Sequence, residues 1–189
     1  MIVRAAHEGD APAMGRIMVE TFLAAHRDQM PAEAWAKRAQ EWTPEVSAQG
    51  WARTLREIAA DKRLHECIYV AVDEGGEVIG LAMGGPAEVD GRPQIGAVYS
   101  LYVCMSHQGR GLGRRLVQAV AANLAQQGMT VLRIGCLAAN APARRFYEAI
   151  GGRIAGERLF DEKGIMLPEV VYEWANIETL VAIERGCDA

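Results

Sequence analysis

Hydrophobic positions along the chain alternate between helical spacing and short, nearly continuous apolar runs. Ile2 to Ala5 reads as a short strand. Met14, Ile17, Met18 and Phe22 then share one helical face, with Asp10 placed to cap that helix. Pro31 breaks the chain. A second helical region carries Trp35, Trp42 and Trp51, is interrupted near Pro44 and Gly50, and ends near Asp61. Cys67 to Asp73 and Val78 to Met83 are apolar runs joined by Glu74-Gly75-Gly76-Glu77, a hairpin signal. A turn at Val89-Asp90-Gly91-Arg92-Pro93 leads into a strand from Gln94 to Cys104. Leu112, Leu116, Val117, Val120 and Leu124 mark one face of a helix that runs to about Gln127 and stops at Gly128. Val131 to Leu137 is the next strand. Asn140 caps a short helix with Pro142 in its first turn, Phe146 and Ile150 facing inward, and Gly151-Gly152 at its end. Strands at about Arg153 to Phe160 and Met166 to Trp174 flank Asp161-Glu162-Lys163-Gly164. The order β-α-α-β-β-β-α-β-α-β-β predicts an α/β protein with a mixed, mostly antiparallel sheet and helices on both faces. Residues 1–175 are expected to form one domain, and 176–189 a tail that is a weak helix or disordered.

Composition narrows the class. The chain has 189 residues, half of them hydrophobic, which suffices for a substantial core. It lacks the run of about 18 apolar residues that a membrane helix needs. The first residues carry no signal-peptide pattern, so a cytoplasmic protein without a membrane partner is expected. Cys67, Cys104, Cys136 and Cys187 are widely spaced and form no C-x-x-C; three lie in apolar runs. They read as reduced core residues. The four histidines are scattered without ligand spacing, so no metal is expected.

Charge is distributed unevenly. The chain carries 20 Lys+Arg and 24 Asp+Glu, a net of −4. From Gly91 to Tyr147 there is no acid at all, but there are seven arginines: Arg92, Arg110, Arg114, Arg115, Arg133, Arg144 and Arg145. That segment carries +7 and the remainder −11. A cationic segment in an acidic protein points to a specific anionic ligand. Nucleic acid is not expected, because it calls for a basic face on a basic domain.

The segment holds a loop with three alternating glycines, Gly109, Gly111 and Gly113, between a strand and a helix. Glycines there let backbone N–H groups approach a ligand without Cβ interference. The helix start adds unpaired donors and the positive end of the helix dipole. Together these are the parts of a phosphate cradle. A dinucleotide site fits poorly. The spacing is G-x-G-x-G followed by Arg114, no acid occurs before Glu148, and three meandering strands precede the loop. A P-loop would need Gly-Lys-[Ser/Thr], which is missing. The plain alternative is a glycine-rich helix entry without a ligand.

Gln108-Gly109-Arg110-Gly111-Leu112-Gly113 matches Q/R-x-x-G-x-G/A, and in this it resembles the acyl-CoA signature of the GCN5-related N-acetyltransferases. Leu101-Tyr102-Val103 resembles the strand end before that signature. Asn140-Ala-Pro-Ala-Arg-Arg-Phe146-Tyr147 is similar to the family's second block, N-x-x-A-x-x-F/L-Y. The resemblance covers about residues 65–174; the first 60 residues share only the β-α-α order. It implies the family's fold and transfer of an acetyl group from acetyl-CoA, as cosubstrate, to a small-molecule or peptide amine by direct attack in a ternary complex. Transfer of another acyl group, a hydroxyl acceptor, or a silent CoA-binding module remain open, as does a homodimer.

The resemblance implies roles residue by residue. Backbone groups at Leu101, Tyr102 and Val103 would pair with pantetheine and polarise the thioester. The amides from Gly109 through Arg110, Gly111, Leu112 and Gly113 to Arg114 would hold the pyrophosphate. Arg110, Arg114 and Arg115 would add cationic contacts, while Gln108 would order the loop. Asn140 would cap its helix and touch the cosubstrate. Tyr147 would protonate the departing thiolate. The family's usual strand Glu falls at Ala97, so the base is open. Glu20, Asp28, Glu88, Asp90 or ordered water are the candidates, all outside residues 91–147. His26 and His107 are weaker ones; for His107 the positive charge of the loop segment lowers a histidine's basicity.

Overall fold

A computed structural model describes residues 1–61, 65–87, 94–162 and 164–181. The turn expected at residues 89–93, base candidates Glu88 and Asp90, Arg92, Lys163 and Cys187 lie outside the described residues. The strands are β1 (Ile2–Ala5), β2 (Cys67–Val72), β3 (Val78–Pro86), β4 (Ile95–Val103), β5 (Val131–Leu137), β6 (Arg153–Glu162) and β7 (Ile165–Trp174). The helices are α1 (Ala11–His26), α2 (Ala32–Glu41), α3 (Pro44–Ala60), α4 (Leu112–Gln126), α5 (Ala141–Ala149) and α6 (Glu178–Val181). The strands form one sheet in the order β1-β2-β3-β4-β5-β7-β6. Only β4 and β5 pair in parallel; every other neighbour is antiparallel.

Both faces are covered. On one, α4, α5, α6 and Ile177 just before α6 bury Leu116, Val117, Val120, Leu124, Tyr147 and Leu180 against Leu132, Ile134, Cys136, Val170 and Tyr172. On the other, α1 and α3 pack Met14, Ile17, Trp51 and Leu55 on Ile68, Val70 and Leu81. Phe22 of α1 and Met30 meet Leu167 of β7 on this second face. The backbones of α1 and α3 nearly touch at Gly15, where a Cβ would come within 2.5 Å of the Pro44 carbonyl. A glycine there is required by that approach.

Two expectations are corrected. Asp10 does not cap α1 with its side chain. Its carboxylate instead grips Arg4 at 2.7 and 2.8 Å and accepts the His7 amide at 2.9 Å. Gly50 does not interrupt α3: the helix runs through it because Ser47, Trp51 and Leu55 keep a buried stripe continuous. The break falls at Trp42 and Thr43, where the Thr43 hydroxyl caps the helix by accepting the Val46 amide.

Candidate functional site

The sheet forks at its centre. β4 and β5 pair from Ile95–Val131 to Val98–Ile134 and then part. Beyond that point β4 stays on β3, and β5 stays on β7. The register of β3 with β4 slips between Met83–Ser100 and Gly84–Val98, which leaves Tyr99 as a bulge on β4 at the fork. A bulge bends its strand and locally raises its twist. It also shifts the alternation of side chains. Val98 and Val103 both lie in the α4 core, whereas Tyr102 packs with the clusters on the α1 side. Among the described residues, the β5-facing edge of β4 from Ser100 to Val103 therefore has no pairing strand.

Above this edge, a single 3-10 turn (Met105–His107) leads into the glycine loop. Gly109 and Gly111 sit at φ of 74° and 78°, in the left-handed region that a side chain disfavours. A Cβ at either would meet nothing within 4 Å, so the constraint is conformational and the space above is open. Gly111 is the N-cap of α4, with no side-chain cap. The first helical bond is Arg115 N–H to the Gly111 carbonyl, at 3.2 Å. Among the described residues, the amides of Gly109, Arg110, Gly111, Leu112, Gly113 and Arg114 donate to nothing. Six adjacent amides at a helix N-terminus form an anion cradle. Gln108 braces it by donating from Nε2 to the Val103 carbonyl at 3.0 Å. Gly113 admits the Phe146 ring, 3.2 Å from where a Cβ would stand, which locks α5 beside the loop.

The arginines of the acid-free segment are less free than their count suggests. Arg133 pairs with Glu173 at 2.7 Å. Arg144 donates to the Tyr172 hydroxyl at 3.3 Å and the Ala138 carbonyl at 3.2 Å. Arg115, expected at the ligand, turns to β1 and donates to the Met1 carbonyl at 3.1 Å. Arg110 and Arg145 are exposed. Arg114 lines an open cleft of about 630 Å³ that continues past Ile150 and Gly151 to Trp174 and Thr179.

Asn140 ends the other arm of the fork. Its Oδ1 accepts the Ala143 amide at 3.2 Å and caps α5, which leaves its Nδ2 as a donor. Tyr147, expected as half-buried packing or an acid, is only 7% exposed. Its ring packs on Phe146, Tyr172 and Trp174. Burial, and then the neighbouring Cys136, Tyr102, Glu169 and Tyr172, push its phenol well above the usual tyrosine range. Cys136 and Tyr172 belong to the α5 face, whereas Tyr102 and Glu169 approach from the other. A hydroxyl that feels both sets stands at the opening between β4 and β5. Among the described residues it has no hydrogen-bond partner, and it is not one of the polar atoms sealed from solvent.

The second face contributes groups that carry no local sequence signal. Glu162 and Glu169 of the β6–β7 hairpin are both buried. Glu162 lies 3.0 Å from Arg38, whose guanidinium stacks over the Trp42 ring at 4.1 Å. Tyr102 faces this pair, and burial, reinforced by Glu162, pushes its phenol up to about 12. Cys136 is likewise pushed by burial to about 11. Of the base candidates, Glu20 and Asp28 are exposed. His26 stacks on Phe22 at 4.3 Å with Nδ1 on the Phe22 carbonyl, and His107 Nδ1 lies 3.0 Å from the Ser106 hydroxyl. Cys67, Cys104 and Cys136 are free thiols. Among the described residues no group of three His, Cys, Asp or Glu could hold a metal, and no helix is long and apolar enough to cross a membrane.

Fold and loop together define an α/β protein with an anion cradle set over a forked sheet. The pattern that defines the acetyltransferase (GNAT) family matches residues 23–151, and the chain belongs to that family. It is 31% identical over 113 residues to the uncharacterized N-acetyltransferase YuaI of Bacillus subtilis, covering 60% of this chain and 65% of that one. It is 34% identical over 94 residues to the L-methionine sulfoximine/L-methionine sulfone acetyltransferase of Pseudomonas aeruginosa, covering 48% and 52%. The chain thus spans about half to two-thirds of these relatives. The YncA structure from Salmonella typhimurium, solved with its cofactor acetyl-CoA, shares the fold with a TM-score of 0.62, at 23% identity and 92% coverage of both chains.

Proposed function

We propose that the protein transfers the acetyl group of acetyl-CoA to a primary amine, by direct attack in a ternary complex. The observation that carries this reading is the row of six unpaired amides on the glycine loop, set above an unpartnered strand edge. The cradle fits a pyrophosphate, with the exposed Arg110 and the cleft-lining Arg114 as nearby cations that form no ion pair among the described residues. The open edge of Leu101, Tyr102 and Val103 fits an amide-bearing arm that would complete the strand ladder. A thioester oxygen needs donors, and on this edge those are backbone amides; the Val103 carbonyl is an acceptor already engaged by Gln108. The Asn140 Nδ2 points to a second polar contact on the far arm.

Direct attack is supported by Cys136, the thiol nearest Tyr147's phenol. Burial keeps it protonated at neutral pH, and its weak contacts are to the Leu137 and Asn140 carbonyls, not to a base. Tyr147 is the residue for the leaving group. Its raised pKa keeps the proton on oxygen until negative charge develops on sulfur. Complete transfer to a thiolate is then uphill unless another proton replaces it. We assign the acceptor to the amine class, small molecule or peptide; the Pseudomonas relative, named for an amino-acid sulfoximine, supports the small end of that range.

The experiment is a panel of amines, amino acids, polyamines and peptides with acetyl-CoA, read as free thiol released. Turnover with any of them supports the reading. Calorimetric CoA binding without enzyme-dependent thiol release would favour the alternative, a silent CoA-binding module, which the absence of an acid on β4 also favours. Comparing longer acyl-CoA esters and hydroxyl acceptors in the same assay separates the remaining transferase alternatives. Cytoplasmic location belongs to this proposal and is supported by the three free thiols. So does a homodimer through the edge strand β6, where Ile154, Leu159 and Phe160 are exposed; light scattering tests it.

A further inference from the structure

Acetyl transfer to an ammonium needs a group that takes a proton, and β4 has no acid to supply one. We propose that Glu169 of β7 is that proton acceptor, serving an amine that enters the fork from the α1–α2 face. This rests on the acetyltransferase reading above.

Position is the first argument. Gly135 is the first residue of β5 beyond its pairing with β4, so it stands at the mouth of the fork. The Glu169 carboxylate lies directly over it: a Cβ at Gly135 would be 2.5 Å from the Glu169 Cδ. The carboxylate occupies the space that any other residue at 135 would fill with its own side chain. Face is the second argument. Val170, Tyr172 and Trp174 point to the α5 core, while Leu167 packs with Phe22 and Met30. Strand alternation puts Glu169 on the Leu167 side, opposite Tyr147. Acid and base therefore flank one opening from opposite faces.

The state of the carboxylate is the third argument. Glu169 is only 7% exposed. Arg158 Nε of β6 donates to Oε2 and fixes the group. Oε1 is the atom nearest Gly135; among the described residues it has no hydrogen-bond partner, and it is not sealed from solvent. One oxygen is thus held by Arg158 and the other is left able to accept a proton. Glu162 differs in access: its Oε1 lies 3.0 Å from the Arg38 guanidinium but is sealed from solvent. The charged and titratable groups facing Glu169 are Arg158 from β6, Cys136 from β5 and Tyr147 from α5.

The steps balance. Glu169 takes one proton from the ammonium, and the neutral nitrogen forms a C–N bond to the thioester carbon. The adduct then breaks its C–S bond. The leaving sulfur takes the Tyr147 proton, and the second nitrogen proton replaces it on the Tyr147 oxygen. Glu169 returns its proton to water. The sum is ammonium plus acetyl-CoA giving amide, CoA thiol and one proton.

The test uses the full chain with Glu169→Gln, Glu169→Asp and Arg158→Gln. Glu169→Gln is expected to lower kcat/KM by about 10²-fold with CoA affinity unchanged by calorimetry. Its acid limb should then follow only the amine's own ionisation. Arg158→Gln removes a cation beside the carboxylate, so the acid limb should move to higher pH. Glu169→Asp should recover part of the rate. An amine of low pKa, already neutral in the assay, should lose less than a basic one. Acetyl-CoA hydrolysis, with water as acceptor, gives the same comparison without an identified amine. A folded Glu169→Gln variant with wild-type turnover and an unmoved acid limb would overturn the proposal. Equal losses in Glu169→Gln and Arg158→Gln with no limb moving would also overturn it, leaving the pair as a structural tie. A wild-type protein that binds CoA but neither acetylates nor hydrolyses would refute the acetyltransferase reading itself.

Discussion

Gly111 isolates the electrostatic part of the cradle. Its φ of 78° costs any residue with a Cβ about 1–2 kcal/mol, although no atom lies within 4 Å of where that Cβ would be. Gly111→Ala therefore costs strain and no clash. The expected fall in Tm is about 2–4 °C per kcal/mol for a chain of this size. Gly111→Asp pays a similar or smaller strain, because Asp tolerates the left-handed region better. The difference between the two variants is then the charge. A carboxylate about 5 Å from a phosphate oxygen, at an effective dielectric of about 20, is opposed by about 3 kcal/mol. Gly111 is exposed, so water and salt reduce that figure by about half or more. Up to roughly 1.4 kcal/mol, a tenfold loss of CoA affinity, is the expected effect for Asp relative to Ala. Calorimetry with CoA at low and high salt is the assay, and the gap should narrow as salt rises. If a folded Gly111→Asp binds CoA within twofold of Gly111→Ala at low salt, the pyrophosphate does not sit on these amides.

Three further outcomes are expected. Tyr147→Phe should lower kcat by about 10²-fold while leaving CoA affinity and Tm nearly unchanged, because the hydroxyl makes no hydrogen bond among the described residues; full kcat, with chemistry rate-limiting, would leave Tyr147 as packing. Asn140→Ala removes the cap on the Ala143 amide and should cost about 1 kcal/mol in urea unfolding; a matching loss of CoA affinity would show that Nδ2 touches the cosubstrate. Burial lowers the His26 pKa, against the opposing pull of the Phe22 carbonyl and Glu162. The native state then binds fewer protons than the unfolded chain, so this stability is present above about pH 6.5 and falls as the pH drops through the lower native value. His26→Gln should flatten that part of the urea midpoint-versus-pH curve, and an identical slope in both proteins would refute the assignment.

Local signals made much of the fold legible. The run Val131 to Leu137 is β5 residue for residue, and Asn140 caps α5 as its position before Pro142 suggests. Gly128 adopts positive φ, as a glycine just past a helix end should. What failed was decided by contacts across the chain. Gly50 reads as a break, but burial of Trp51 and Leu55 against α1 outweighs its poor propensity. Arg115 reads as a ligand cation because nothing nearby shows that the Met1 carbonyl will reach it, 114 residues away in sequence. Glu169 is the clearest case. In Leu-Pro-Glu-Val-Val-Tyr it looks like the solvated face of a strand. Only the antiparallel pairing of β7 with β5 carries it over Gly135.

The same pairing keeps the amine-side carboxylates apart from the acid-free segment. β4, the loop, α4, β5 and α5 surround the cradle, and a carboxylate on any of them would oppose an anion bound there. Up to Tyr147 those elements carry no acid, and Glu148, in the last turn of α5, accepts from the Tyr172 hydroxyl at 2.8 Å. Carboxylates for the amine side come from outside that stretch. β6 and β7 supply them: they enter from the far edge of β5 and bring Glu162 and Glu169 to the opposite face of the sheet. Each comes with an arginine, Arg38 or Arg158, so neither adds a naked charge to the phosphate side. The fork separates the two regions, with Tyr147 at the opening between them. A carboxylate moved from position 169 to position 97, on β4 itself, would sit on the same strand edge as the thioester. That geometry keeps a base but places its charge beside the leaving group. The double variant Ala97→Glu with Glu169→Gln is therefore expected to recover part of the acid limb while weakening CoA binding relative to Glu169→Gln alone. Unchanged CoA affinity in that variant would mean that the two faces are not electrostatically distinct.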